Sequence, residues 1–195
     1  MKGWATMLFS KVMVRRENAR FSYQDYQLLL EDKRYEILDG NLCMVSSPNT
    51  KHQRVSKKLL VALARQIEAR DLGEIFVAPY DVVFSDDNIV QPDMFFIAGG
   101  RVGLVGELNL QGAPDLVIEI LSVGSRKKDL GTKKNIYARF GIGEYWIVDP
   151  DAETIEVQIW SEIGYLRYAL YAKSECLSSP LLPTVKLRLQ DIFRN

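Results

Sequence analysis

A chain of 195 residues with 47% hydrophobic and 26% charged side chains can bury a sizeable core and is too apolar to stay disordered. Its 25 basic and 25 acidic residues cancel to a formal charge of zero, which excludes a uniformly basic nucleic-acid binder and leaves only local charge segregation to attract a polyanion. No run reaches the length of a membrane-spanning helix, and Cys43 and Cys176 lack metal-ligand or redox spacing, so a cytoplasmic protein with free thiols is expected.

Residues 1–20 read as an N-terminal arm ending in Arg15-Arg16-Glu17-Asn18-Ala19-Arg20, and 21–195 as a single domain without linker or repeat. Ser22 is placed to cap a helix in which Tyr23, Tyr26, Leu29 and Leu30 recur at helical spacing. Asp39-Gly40 lies between two apolar runs and supplies the positive φ angles of a tight turn, so 35–45 reads as a hairpin. Ser46-Ser47-Pro48-Asn49-Thr50 breaks the chain, and the spacing of Val55, Leu59, Leu63 and Ile67 then predicts a long helix with one buried stripe.

Ile75 to Phe84 reads as one strand with an irregularity at Pro79, turned by Ser85-Asp86-Asp87-Asn88 into a second strand over 89–97. Residues 98–114, with Gly99, Gly100, Gly103, Gly106, Gly112 and Pro114, read as a surface connection rather than an element. A strand over 115–121 and a basic helix over 126–140 follow, with Ile136 and Phe140 facing inward, and then a strand over 144–150. Strands over 154–161 and 164–171 make a hairpin, and a short helix around Leu189–Phe193 closes the chain. This order predicts a mixed-sheet α/β (α+β) fold.

Two carboxylates stand out. Asp93 follows Pro92 at the head of an apolar strand, and Glu119 sits among Val117, Ile118, Ile120 and Leu121. An unpaired charge in a buried strand is costly, so these positions need a reason. Strand alternation puts Asp115, Val117, Glu119 and Leu121 on one face. If the strands of Asp93 and Glu119 are neighbours, the two acids can share a hard divalent cation such as Mg²⁺ or Mn²⁺. Asp115, at the entry of its strand, reads as a local cap instead. Lys133 lies four residues after Asp129, and by its residues alone it reads as a surface lysine in an i,i+4 pair.

Charge is segregated as a polyanion binder would need. Lys51, Arg54, Lys57, Lys58 and Arg65 occur between Asn49 and Ile67 with no acid, and Arg126, Lys127, Lys128, Lys133, Lys134 and Arg139 face only Asp129; two solvated helix faces are the plainer reading. His52 is the only histidine, and with no cysteine pair at ligand spacing zinc is disfavoured. Tyr137 and Trp146 read as packing groups.

The ordered set Tyr35-Glu36-Ile37-Leu38-Asp39-Gly40, His52, Gln91-Pro92-Asp93, Ala113 to Ser122, Asp129 with Lys133 and Tyr137, and Glu144 to Pro150 resembles one group. It is similar to the restriction-endonuclease-like PD-(D/E)XK nuclease superfamily, in its branch of small standalone bacterial proteins long catalogued as a domain of unknown function. The resemblance implies an αβββαβ core with additional N- and C-terminal β-hairpins. It implies Asp93 and Glu119 as the catalytic, metal-holding acids, with the Ile120 carbonyl as a further ligand. Leu121 stands where that superfamily's lysine is expected, and the resemblance implies that Lys133 on the following helix takes its place. Glu36 and His52 match the pattern as accessory groups.

A Mg²⁺- or Mn²⁺-dependent endonuclease acting on DNA, working as a homodimer without a small-molecule cofactor or membrane contact, is therefore expected. The rival expectation is a catalytically degenerate nuclease-fold module binding nucleic acid or a protein partner, favoured by Leu121 and the zero net charge.

Overall fold

The computed structural model describes residues 20–29 and 33–194, so the expected arm lies outside the described residues except for Arg20, as does Leu30. Ser22 caps α1 (Tyr23–Gln27): its hydroxyl accepts from the Asp25 N–H, and the Asp25 carboxylate accepts from the Ser22 N–H. β1 (Tyr35–Leu38) and β2 (Asn41–Met44) form the expected hairpin, with Asp39 and Gly40 at φ 49° and 74°. Asn49 caps α2 (Thr50–Glu68), whose buried residues are His52 and the expected stripe Val55, Leu59, Leu63 and Ile67.

The single strand expected over 75–84 is two strands. β3 (Gly73–Val77) and β4 (Asp81–Ser85) belong to different sheets, and so do the returning β5 (Asn88–Val90) and β6 (Met94–Ala98). Pro79 and Pro92 stand at the two crossings and have no N–H to continue a ladder. The Ala78 N–H donates to the Asp93 carbonyl at 3.1 Å, keeping the crossings side by side.

The connection expected over 98–114 also needs correction. It contains a 3₁₀ turn (Gly99–Leu104) and β7 (Asn109–Gln111), which pairs in parallel with β4 and buries Leu110 completely. Flanking glycines hide so short a strand from pattern reading. β8 (Leu116–Ile120) precedes a helical segment made of α3 (Arg126–Lys128), a π turn (Asp129–Lys133) and α4 (Lys134–Arg139). β9 (Glu144–Asp149), the hairpin β10 (Thr154–Ser161) and β11 (Gly164–Ala172), the small pair β12 (Cys176–Ser178) and β13 (Lys186–Arg188), and α5 (Leu189–Phe193) complete the chain.

The six-stranded sheet runs β11-β10-β9-β8-β6-β3, with β8 and β9 parallel and the other neighbours antiparallel. The order α2, β3, β6, β8, the helical segment and β9 is the expected αβββαβ core. The N-terminal hairpin does more than decorate it, because β2-β1-β5-β4-β7 is a second sheet.

β8 is buried on both faces. Leu116, Ile118 and Ile120 join the α2 stripe, while Val117 and Leu121 pack with Ile136, Tyr137, Tyr145 and the second sheet's Val82, Val90 and Leu110. Alternation therefore turns Glu119 toward the helical segment and the second sheet.

Gly73 opens β3 at φ 145°, and a Cβ there would lie 2.0 Å from the Ile97 carbonyl oxygen on the paired strand. Gly73→Ala should cost at least about 1–3 kcal/mol from the backbone conformation alone, before the clash is relieved. Urea unfolding measures it, and an unchanged midpoint would contradict this placement.

Candidate functional site

The β6–β8 ladder ends at the Met94–Ile118 pair, and the next inward-facing N–H on β8, that of Ile120, is taken by a side chain. Asp93 Oδ2 accepts it at 2.8 Å and also lies 3.0 Å from His52 Nε2 in the first turn of α2. The Asp93 N–H in turn points at Glu119 Oε2, 3.4 Å away. Crossing between sheets thus leaves Asp93 free of either ladder, with its N–H toward Glu119 and its carboxylate between His52 and the Ile120 N–H.

Glu119 is 2% exposed and doubly held. Its Oε1 accepts from Lys133 Nζ at 2.5 Å and from the Tyr137 hydroxyl at 2.5 Å. Lys133 Nζ also lies 2.9 Å from Glu36 Oε1, on β1, and 3.9 Å from Asp129 Oδ1. The same Glu36 oxygen accepts the Gln91 N–H at 3.0 Å. Five sequence-marked residues, Glu36, His52, Asp93, Glu119 and Lys133, therefore line one cavity of about 300 Å³.

The surface reading of Lys133 is overturned, since the residue is 4% exposed. Its i,i+4 stripe with Asp129 and Tyr137 faces inward, and the counter-charges come from β1 and β8, which no local spacing reveals. Asp129 and Tyr137 belong to the quoted motif set, but sequence reasoning gave them no part in the site, reading Asp129 as half of a surface pair and Tyr137 as a packing group. Continuation of the Lys133 stripe was the available signal. Tyr137 does pack, edge-on to Tyr145, but its hydroxyl is spent on Glu119. Asp115 stays outside the site, but its partners are not local: it accepts from Arg101 at 2.5 Å and from the Ala98 N–H of β6 at 2.8 Å. Arg34, Lys57 and Lys128 line the same cavity, and no described acid pairs with them.

Four carboxylates (Glu36, Asp93, Glu119 and Asp129) thus share the cavity with one buried lysine, one imidazole and the more exposed Arg34, Lys57 and Lys128. An isolated ion pair would depress its carboxyl. Here burial, reinforced by Asp129, Asp93 and Glu36, outweighs Lys133 and holds the Glu119 carboxyl well above the ordinary range. Asp129 is raised as well, again chiefly by burial. Burial alone would lower the Lys133 ammonium, but Glu119, Glu36 and Asp129 together hold it well above its usual value. Lys133 is therefore a fixed cation, and Glu119 and Asp129 carry the electrostatic strain.

Raised carboxyls stabilise a fold while protonated and lose that contribution as pH rises from the unfolded pKa toward the folded one. In chelator, the wild type should lose stability relative to Glu119→Gln as pH climbs above the ordinary carboxylate range. The difference between their urea midpoints reads this directly, and a pH-independent difference would speak against the crowding.

The donor set suits a small, hard cation. Among the described residues no group of three or more His, Cys, Asp or Glu side chains forms a ready-made cage. Two carboxylate oxygens that leave room for waters are nonetheless what Mg²⁺ or Mn²⁺ accepts. Among the buried groups Glu36, Glu119 and Asp129 outnumber Lys133, and Asp129 Oδ2 is buried without a hydrogen-bond partner.

A sequence profile described as "Uma2: Putative restriction endonuclease" matches residues 23–190. Among solved structures, "a putative nuclease belonging to DUF820 from Anabaena variabilis ATCC 29413" superposes with a TM-score of 0.74 at 18% identity, covering 89% of this chain and 97% of that one. At that identity the likeness is one of fold. No curated protein matches the chain.

Proposed function

Because the chain belongs to the Uma2 family ("Putative restriction endonuclease"), we propose that it is a metal-dependent endonuclease hydrolysing phosphodiester bonds in DNA, with 21–195 as one catalytic domain. The observation that carries this reading is the convergence of Asp93, Glu119 and Lys133 from three separate elements at one cavity. Asp93 and Glu119 would hold Mg²⁺ or Mn²⁺, with the Ile120 carbonyl as an additional ligand. The bound cation supplies an activated water and charge stabilisation at the scissile phosphate.

The chain's own groups do the positioning. His52 and the Ile120 N–H fix the Asp93 carboxylate, while Tyr137 and Lys133 fix Glu119. Glu36 also pairs with Lys133, whose ammonium would orient the attacking water or meet developing negative charge. Arg34, Lys57 and Lys128 at the cavity, with the basic stretches 51–58 and 126–134, contact backbone phosphates and make binding salt-sensitive. A homodimer brings two such sites to opposite strands.

One observation favours a second reading, a non-catalytic nucleic-acid- or protein-binding module: Lys133 is closed between Glu36 and Glu119 instead of standing free. Plasmid and linear DNA incubated with the protein in Mg²⁺, Mn²⁺ or chelator separates the two. Nicking or cutting only with metal supports the nuclease. Retained DNA binding with no cutting in any metal overturns it.

No helix among the described residues is long and apolar enough to cross a membrane.

A further inference from the structure

The groups that would meet a phosphate are recessed. The side chains of Glu36, Glu119 and Lys133 are only 4%, 3% and 5% exposed, and Asp93, at 24%, is the acid that opens to solvent. A paired double helix is a stiff rod with a persistence length of about 50 nm, and it carries its phosphates on a convex surface. Lowering one phosphate into a cavity of about 300 Å³ requires the strand to leave the helix there.

A second cavity of about 420 Å³ adjoins the first, because Arg34 and Gln91 line both. Its size lies within the range of roughly 300–1,000 Å³ typical of small-ligand sites. Tyr23, Tyr26 and Tyr35 line it as half-buried rings, the first two with planes within 16° and centroids 6.5 Å apart. Tyr23 and Tyr26 pack against the Ile37, Val83 and Ile89 cluster, and both residues remain only partly buried.

The cavity also has a polar edge held in place. Asp81 Oδ1 accepts from the Tyr26 hydroxyl at 2.9 Å and from Gln91 Nε2 at 2.8 Å, and no described hydrogen bond engages Oδ2. Gln91 links this edge to the acids through its N–H on Glu36. Aromatic faces, a fixed acceptor for an exocyclic amino group and an arginine toward the phosphate cavity are what a nucleotide requires.

We propose that the two cavities together take an unpaired DNA strand, as a single strand, flap or frayed end. The scissile phosphate enters the acidic cavity, Arg34 meets the backbone, and a neighbouring base stacks on Tyr26 against the Asp81 edge. The cleavage part rests on the nuclease reading; the base site does not.

The test uses the whole protein and a short oligodeoxynucleotide carrying one fluorescent aminopurine, presented single-stranded, as a flap, or in a blunt duplex. In chelator, the single strand and flap should bind about tenfold or more tightly than the duplex, with quenching of the aminopurine. Tyr26→Ala should weaken single-strand binding by about tenfold or more, the factor one lost base–aromatic stack carries, while Tyr26→Phe retains it. With Mn²⁺, the flap or single strand should be cut faster than the duplex.

Equal or tighter binding of the duplex, or unchanged single-strand binding in a folded Tyr26→Ala protein, overturns the base site and leaves the nuclease reading standing. Should Tyr26→Ala fail to fold, the wild type's strand preference and quenching decide. Strand-selective binding with no cleavage in any metal upholds the base site and sinks the nuclease reading instead.

Discussion

Under the proposed nuclease function, Glu119→Gln and Asp93→Asn should each reduce metal-dependent DNA cleavage by roughly 10³-fold or more, the loss expected from several kcal/mol of metal-borne stabilisation at a factor of ten per about 1.4 kcal/mol. Both changes are close to isosteric. In Asp93→Asn the amide oxygen still accepts the Ile120 N–H, and in Glu119→Gln the amide oxygen still accepts from Lys133 and Tyr137, so the fold has no reason to fail. What each variant lacks is an anionic oxygen for a hard cation. Calorimetric titration with Mn²⁺ should therefore show weakened or absent binding in both, with unfolding midpoints near wild type for Asp93→Asn. Cleavage within tenfold of wild type in either variant would remove that acid from the catalytic role.

Lys133→Met separates the two halves of the site differently. Its ammonium is the cation beside Glu36, Glu119 and Asp129, and all four side chains are buried. Removing one partner from a buried ionic cluster costs about 3–5 kcal/mol, because the remaining charges are left uncompensated. The cost falls toward the lower end where Glu119, already raised by burial, takes up a proton.

Cleavage should fall by roughly 10²–10³-fold, the loss that follows removal of one transition-state donor. Mn²⁺ binding should persist, since Asp93 and Glu119 remain and a competing cation is gone. Added Mn²⁺ should then recover part of the lost stability by mass action. A variant that folds and cuts normally would show that the lysine only neutralises its neighbours.

Much of this site was legible in the chain because burial and charge conflict at named positions. Asp93 and Glu119 stood out as acids among strand residues that pack on both faces, and the structure places them together. The α2 stripe and the Asp39-Gly40 turn were equally plain, each being a local pattern with a single physical solution.

The second sheet was not legible. β3 and β4 read as one run because both are apolar, and only the proline between them hinted that the partner strands change. Asp129 and Tyr137 stayed hidden for a related reason. An i,i+4 acid–lysine pair is ordinary on a solvated helix, and it becomes a buried cluster only once Glu36 and Glu119 arrive from remote strands.

The hairpin over residues 73–98, which lends one half of each arm to each sheet, places Asp93 where both arms bend. The far tip of this hairpin is tied as well: the Asp87 carbonyl accepts the Gly40 N–H at 2.8 Å, and the buried Asn88 side chain accepts the Asp39 N–H at 3.1 Å. A single residue inserted beside Pro92 should therefore shift the acid away from Glu119, because neither end of the hairpin has slack to absorb it.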